Sequence, residues 1–153
     1  MKSMRFELSD IVKATPQQTF AWWTDFEEGD AGRVMPPLRE RRIVRHTATE
    51  TETEDRWSVS GIPMRTRAIL KPRPPDRWEV IFRLRGGWAR DAVRLESVPG
   101  GARVSMDMEM HLRWPWTWAA RVLRRWLERL FLEDLRAVNR RLEASLASEK
   151  GPP

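Results

Sequence analysis

A chain of 153 residues with 41% hydrophobic and 33% charged side chains is long enough to bury one core and too apolar to stay unfolded. The lack of cysteine excludes a disulfide framework, a thiolate metal site and a cysteine nucleophile. Two histidines, His46 and His111, are too few for a histidine-rich metal centre, so no metal and no cofactor is expected. The formal charge of +6 is nearly all arginine interleaved with Glu and Asp, the pattern of a salt-bridged solvated face, and no nucleic-acid signature accompanies it; nucleic acid is not the expected partner.

No apolar run approaches the roughly 18 residues of a membrane span. The start, Met1 to Glu7, lacks the apolar core of a signal peptide, and a cytoplasmic location is expected.

Alternation of Met4, Phe6 and Leu8 predicts a strand over 4–13. Thr15 then offers an N-cap and Pro16 a first helical position for a short helix with Phe20 and Trp23 on its apolar side. Gly29, Gly32, Pro36 and Pro37 make 27–37 a loop or a broken second helix. From Arg41 the period becomes two, predicting strands over 41–49, 51–60, 64–71, 77–85, 88–98 and 102–113. Short Gly- and Pro-rich connections make them an antiparallel meander.

Register follows from the turns. A two-residue turn at Gly86–Gly87 pairs Phe82 with Asp91, Val80 with Val93 and Trp78 with Leu95, with Glu79 opposite Arg94 on the other face. A turn at Pro99–Gly100 pairs Leu95 with Val104, Val93 with Met106 and Asp91 with Met108; Glu96 faces Arg103 and Arg90 faces Glu109. One face is then apolar and the other carries opposed charges, as cross-strand pairing favours. After Trp114-Pro115-Trp116-Thr117-Trp118 a helix runs to about Leu146, its apolar stripe including Val122, Trp126, Leu130, Leu135 and Val138 and its far side Arg121, Arg125 and Arg129. One apolar stripe and one apolar sheet face cover each other, giving one α+β domain over 1–147 and a disordered tail at 148–153.

The order of these elements is that of the helix-grip fold, and the chain resembles the START-like (SRPBCC) superfamily of polyketide cyclases, lipid-transfer domains and pollen allergens. The resemblance rests on Thr15-Pro16-Gln17-Gln18-Thr19-Phe20-Ala21-Trp22-Trp23-Thr24-Asp25-Phe26 at the first helix, Pro74-Pro75-Asp76-Arg77-Trp78 before the fifth strand and Pro99-Gly100-Gly101-Ala102-Arg103-Val104 before the last. It covers almost the whole chain and implies a curved sheet of about seven strands around the C-terminal helix, two short helices after the first strand, and an internal cavity. It carries no catalytic motif.

Within that frame the expected cavity wall is Phe82, Asp91, Val93, Met106, Met108, Trp118, Val122 and Trp126. Met64, Met106, Met108 and Met110 fall on the inner face, where thioethers serve equally as core or as adaptable pocket lining. Asp91 on an apolar face is either a solvated carboxylate near the sheet's open end or a polar anchor and general base. A tight turn near Glu50–Thr51 sets His46 opposite Asp55, a workable acid–base pair, but no glycine pins that register and a solvent-facing or structural His46 is the preferred reading. Trp114, Trp116 and Trp118 beside Arg121, Arg124 and Arg125 are either packing residues or an interfacial belt for weak contact with an anionic membrane.

Three functions fit: a binder or carrier of a hydrophobic small molecule; a cyclase or dehydratase using a cavity carboxylate; and an interaction module docking through the basic helix. An enzyme is expected to bring two or more ionisable groups into the cavity, a carrier one or none.

Overall fold

The computed structural model describes residues 2–149. Seven strands, β1 (Lys2–Val12), β2 (Leu38–His46), β3 (Thr51–Val59), β4 (Ile62–Arg73), β5 (Arg77–Leu84), β6 (Gly87–Val98) and β7 (Gly101–Leu112), form one antiparallel sheet in the order β1-β7-β6-β5-β4-β3-β2. The helices are α1 (Pro16–Thr24), α2 (Trp116–Val122) and α3 (Arg124–Glu149).

Local chemistry accounts for α1. The Thr15 side chain accepts the Gln18 N–H at 3.1 Å, Gln18 Oε1 accepts the Thr15 N–H at 2.9 Å, and Pro16 supplies a preset φ. The second expected helix is only a 3-10 turn, Glu28–Asp30, because the glycines and prolines that follow cannot continue it. The expected single C-terminal helix is also divided: Leu123, at φ −95° and ψ 13°, leaves helical geometry between α2 and α3. At the far end α3 continues through Glu149, past the expected boundary at 147; residues 150–153 of the expected tail lie outside the described residues.

Alternation sorts the sheet. Met4, Phe6, Leu8 and Val12 of β1, Trp78 and Val80 of β5, and Ala102 to Leu112 at every second position of β7 are buried. Leu135, Val138 and Leu142 of α3 pack against them, with Phe131 edge-on to Phe6 at 5.4 Å. Buried Asn139 ties three elements, accepting the Trp23 indole N–H at 2.9 Å and donating to Asp10 at 3.0 Å. Leu135 is 2% exposed, so Leu135→Ala is expected to lower stability by about 3 kcal/mol. Urea unfolding measures it, and an unchanged midpoint would mean that α3 does not grip the sheet.

The β6–β7 register is as expected, with Leu95 opposite Val104, Val93 opposite Met106 and Asp91 opposite Met108. The β5–β6 register differs by two residues: Leu84 pairs with Gly87, Val80 with Asp91 and Trp78 with Val93. The turn is therefore Arg85–Gly86. Gly86 takes φ +98°, and Gly87 begins β6 because a Cβ there would lie 1.9 Å from the His111 carbonyl oxygen. A two-residue shift keeps each side chain on its face, so the inner surface survives the correction. Glu79 then meets Arg90, at 3.0 Å, rather than Arg94.

Candidate functional site

Between the concave face of the sheet and α3 lies a cavity of about 370 Å³. The sheet supplies Trp57, Trp78, Val80, Phe82, Val93 and the methionines Met64, Met106, Met108 and Met110; α1 and the loop after it add Trp22, Phe26 and Met35. The helix covers it with Trp126, Leu127, Leu130, Phe131, Leu135 and Val138. Ile62, Met64 and Trp126 line the space and yet are exposed, which locates a mouth between the β3–β4 hairpin and the first turn of α3. A larger hollow of about 740 Å³ opens on the outer face, but Arg73, Arg77, Arg90 and Arg94 there alternate with Glu7, Glu79 and Asp107 in an open polar groove. The inner cavity has the apolar walls of a small-molecule site.

Four charged side chains reach this cavity: Asp30, Arg41, Asp91 and Asp134. Asp91 stands on the inner face of β6 between Val80 and Met108, only 7% exposed, and its Oδ1 is buried without a hydrogen-bond partner. Burial pushes its carboxyl up to about 7. Asp134 lines the same space from the helix side, where burial, reinforced by Glu133, pushes its carboxyl up to about 6. Neither has an ion-pair partner among the described residues.

Asp30 and Arg41 belong to a buried ionic triad. Arg41 donates from Nη1 to Asp30 at 2.9 Å and from Nε and Nη2 to both oxygens of Asp55 at 2.9 Å, while its guanidinium lies 4.1 Å over the Phe26 ring. The Glu27 backbone N–H also donates to Asp30 at 2.9 Å. Desolvation nevertheless holds the Asp30 carboxyl above its ordinary range, against that N–H and Arg41, which pull it down.

Of the eight expected wall residues, Phe82, Asp91, Val93, Met106, Met108 and Trp126 line the cavity. Trp118 and Val122 do not; each is 64% exposed on α2, because the break at Leu123 turns that segment off the helical stripe. The His46–Asp55 pair is also not formed. A four-residue loop, closed by the Thr47 N–H to the Glu50 carbonyl at 2.8 Å, pairs His46 with Thr51 and Asp55 with Arg41. Exposed His46 instead meets the Thr51 hydroxyl at 2.8 Å.

Asp134, Trp22, Asp30 and Arg41 are the functional candidates that sequence reading missed. Asp134 had a signal: it interrupts the apolar stripe between Leu130, Phe131 and Val138 at helical spacing. Asp30 and Arg41 had none, since a loop turn and a strand edge carry no periodicity.

At the sheet-to-helix junction Trp114, Trp116, Trp118, Val122, Leu123 and Trp126 are all exposed, Trp114 by 83%. Exposed Arg113, Arg121, Arg124 and Arg125 lie among them, and no acidic residue occurs from 113 to 127. Among the described residues, no helix is long and apolar enough to cross a membrane.

No protein-family model matches the chain, and no curated protein matches it in sequence. Solved structures do match in three dimensions. The ZhuI aromatase/cyclase of Streptomyces sp. R1128 superposes with a TM-score of 0.81 at 14% identity, over 95% of this chain and 96% of that one. A START superfamily protein of Mycobacterium smegmatis gives a TM-score of 0.67 at 12% identity over 94% and 97%. Ara h 8.0201 gives 0.69 at 11% identity over 94% and 99%. Seven antiparallel strands curved around a C-terminal helix, shared end to end with these proteins, give this chain the helix-grip fold.

Proposed function

We propose that the chain binds a hydrophobic small molecule in the cavity between sheet and α3. The observation that carries this reading is a space of about 370 Å³, within the usual range for small-molecule sites, whose walls are aromatic, aliphatic and thioether side chains with a few polar groups. The apolar walls are adaptable where five methionines contribute. Filling the space by Val93→Trp is expected to abolish uptake of a neutral fluorescent apolar probe while leaving a cooperative melting transition. Unchanged probe binding in that variant would sink the cavity reading.

A specific observation also favours a proton-transferring cyclase or dehydratase: two carboxylates, Asp91 and Asp134, line the cavity with proton affinities near neutrality, where general acid–base groups work best. ZhuI, named an aromatase/cyclase, supports testing substrates that can undergo cyclisation. Turnover that is lost in Asp91→Asn identifies the enzyme, whereas tight binding without turnover identifies the carrier.

Membrane contact through Trp114, Trp116 and Trp118 would let a carrier collect apolar cargo near its mouth, which Trp126 borders. Each neighbouring arginine close to an anionic surface contributes about 1 kcal/mol, so association is weak and reversible. Flotation with anionic vesicles is expected at low salt, weakening as salt rises, and the salt-resistant remainder is expected to vanish in Trp116→Ala/Trp118→Ala. Failure to float at low salt would make these tryptophans no membrane anchor.

A further inference from the structure

We propose that the cavity selects an apolar ligand carrying a basic nitrogen, paired with Asp91 and Asp134, and discriminates against apolar carboxylates. The inference deepens the binding reading above and rests on it. Asp91 is more than nine-tenths buried and presents an unpartnered Oδ1 at the inner face of β6. A buried carboxylate oxygen without a donor is costly, and a ligand N–H is the complement that removes the penalty. Asp134 adds a second carboxylate to the same cavity from α3.

The cation inventory decides the sign. Among the described residues the charged groups facing the cavity are Asp30, Arg41, Asp91 and Asp134. Arg41 is the sole cation, and its Nε, Nη1 and Nη2 are already committed at 2.9 Å to Asp55 and Asp30. A ligand carboxylate would therefore find no free cation and two or three carboxylates, whereas a ligand ammonium would find two acids without counter-ions. The raised proton affinities of Asp91 and Asp134 agree, since burial without a counter-ion favours the protonated form of each acid. At a pH where the acid is still protonated, binding an ammonium ionises it and releases its proton. The exterior argues the other way: a chain of formal charge +6 attracts anions over its surface, so amine preference can arise only inside the cavity.

The test displaces the neutral probe N-phenyl-1-naphthylamine with dodecylamine, dodecanol and dodecanoate, each below its micelle concentration. At about pH 7.5 dodecylamine is expected to bind at least about tenfold tighter than dodecanol, the factor that one unit of pKa coupling represents, and dodecanoate more weakly than dodecanol. The amine's advantage is expected to shrink as pH falls from about 8 to about 5, with proton release on amine binding measurable by calorimetry in buffers of different ionisation enthalpy. In Asp91→Asn, and further in Asp91→Asn/Asp134→Asn, the amine-to-alcohol ratio is expected to approach one. Dodecanoate binding as well as dodecanol, or an amine advantage that survives the double substitution, overturns the inference while leaving the binding reading intact. No displacement by any of the three overturns both.

Discussion

Asp91→Asn is expected to stabilise the unliganded protein by as much as about 4 kcal/mol above neutral pH and to have almost no effect near pH 3. The Asp91 carboxyl ionises near 3.8 when exposed and near 7 in the fold, because burial without a partner disfavours its charge. At acid pH both states carry the proton and Asp91 contributes nothing to the difference. As pH rises past about 4 the unfolded chain loses its proton first, so the fold is progressively destabilised until both states are ionised above about 7. A gap of about three pKa units corresponds to about 4 kcal/mol. Asparagine keeps the shape and removes the titration. Urea unfolding of both proteins at pH 3, 5, 7 and 8.5 measures the effect, and parallel stability profiles would mean that Asp91 is solvated rather than buried. A group that costs the empty fold this much is better explained by what it holds than by stability.

The opposite sign is expected at Arg41. Arg41→Met leaves Asp30 and Asp55 buried beside each other without a cation, and removing one member of a buried ionic group typically costs about 3–5 kcal/mol. The further changes Asp30→Asn and Asp55→Asn in the same chain are expected to recover much of the loss, since what destabilises is the uncompensated charge rather than the missing contact. Thermal melting of the single and triple variants separates the two causes. If the single variant melts with the wild type, the triad is reached by water and does not rigidify the cavity wall.

Asp91 and Arg41 differ in how legible they are in the sequence. Asp91 stood out in the sequence because strand alternation placed a carboxylate among Val93, Leu95 and Ala89. Arg41 did not, because it was one of many arginines in a strand whose edge carries charge on both sides. What distinguishes it is a bulge-shifted pairing with β3 that sets it opposite Asp55, and a 3-10 turn that delivers Asp30. Neither is a periodic feature.

The sequence by itself determined what depends on neighbours a few residues apart: the Thr15 cap before Pro16, the inward parity of Phe82, Val93, Met106 and Met108, and the β6–β7 register set by Gly100 at φ +81°. Such choices are decided by backbone stereochemistry and by a side-chain period that a two-residue slip leaves unchanged. Only the tertiary structure decided which of two glycines closes the β5–β6 turn, because the reason lies in the His111 carbonyl of β7. It also decided that the C-terminal helix breaks at Leu123, sending Trp118 and Val122 to solvent, and that Asp134 shares one space with Asp91 although 43 positions separate them. Burial and electrostatics act through space, so the charge balance of the cavity appears only when sheet and helix close on each other.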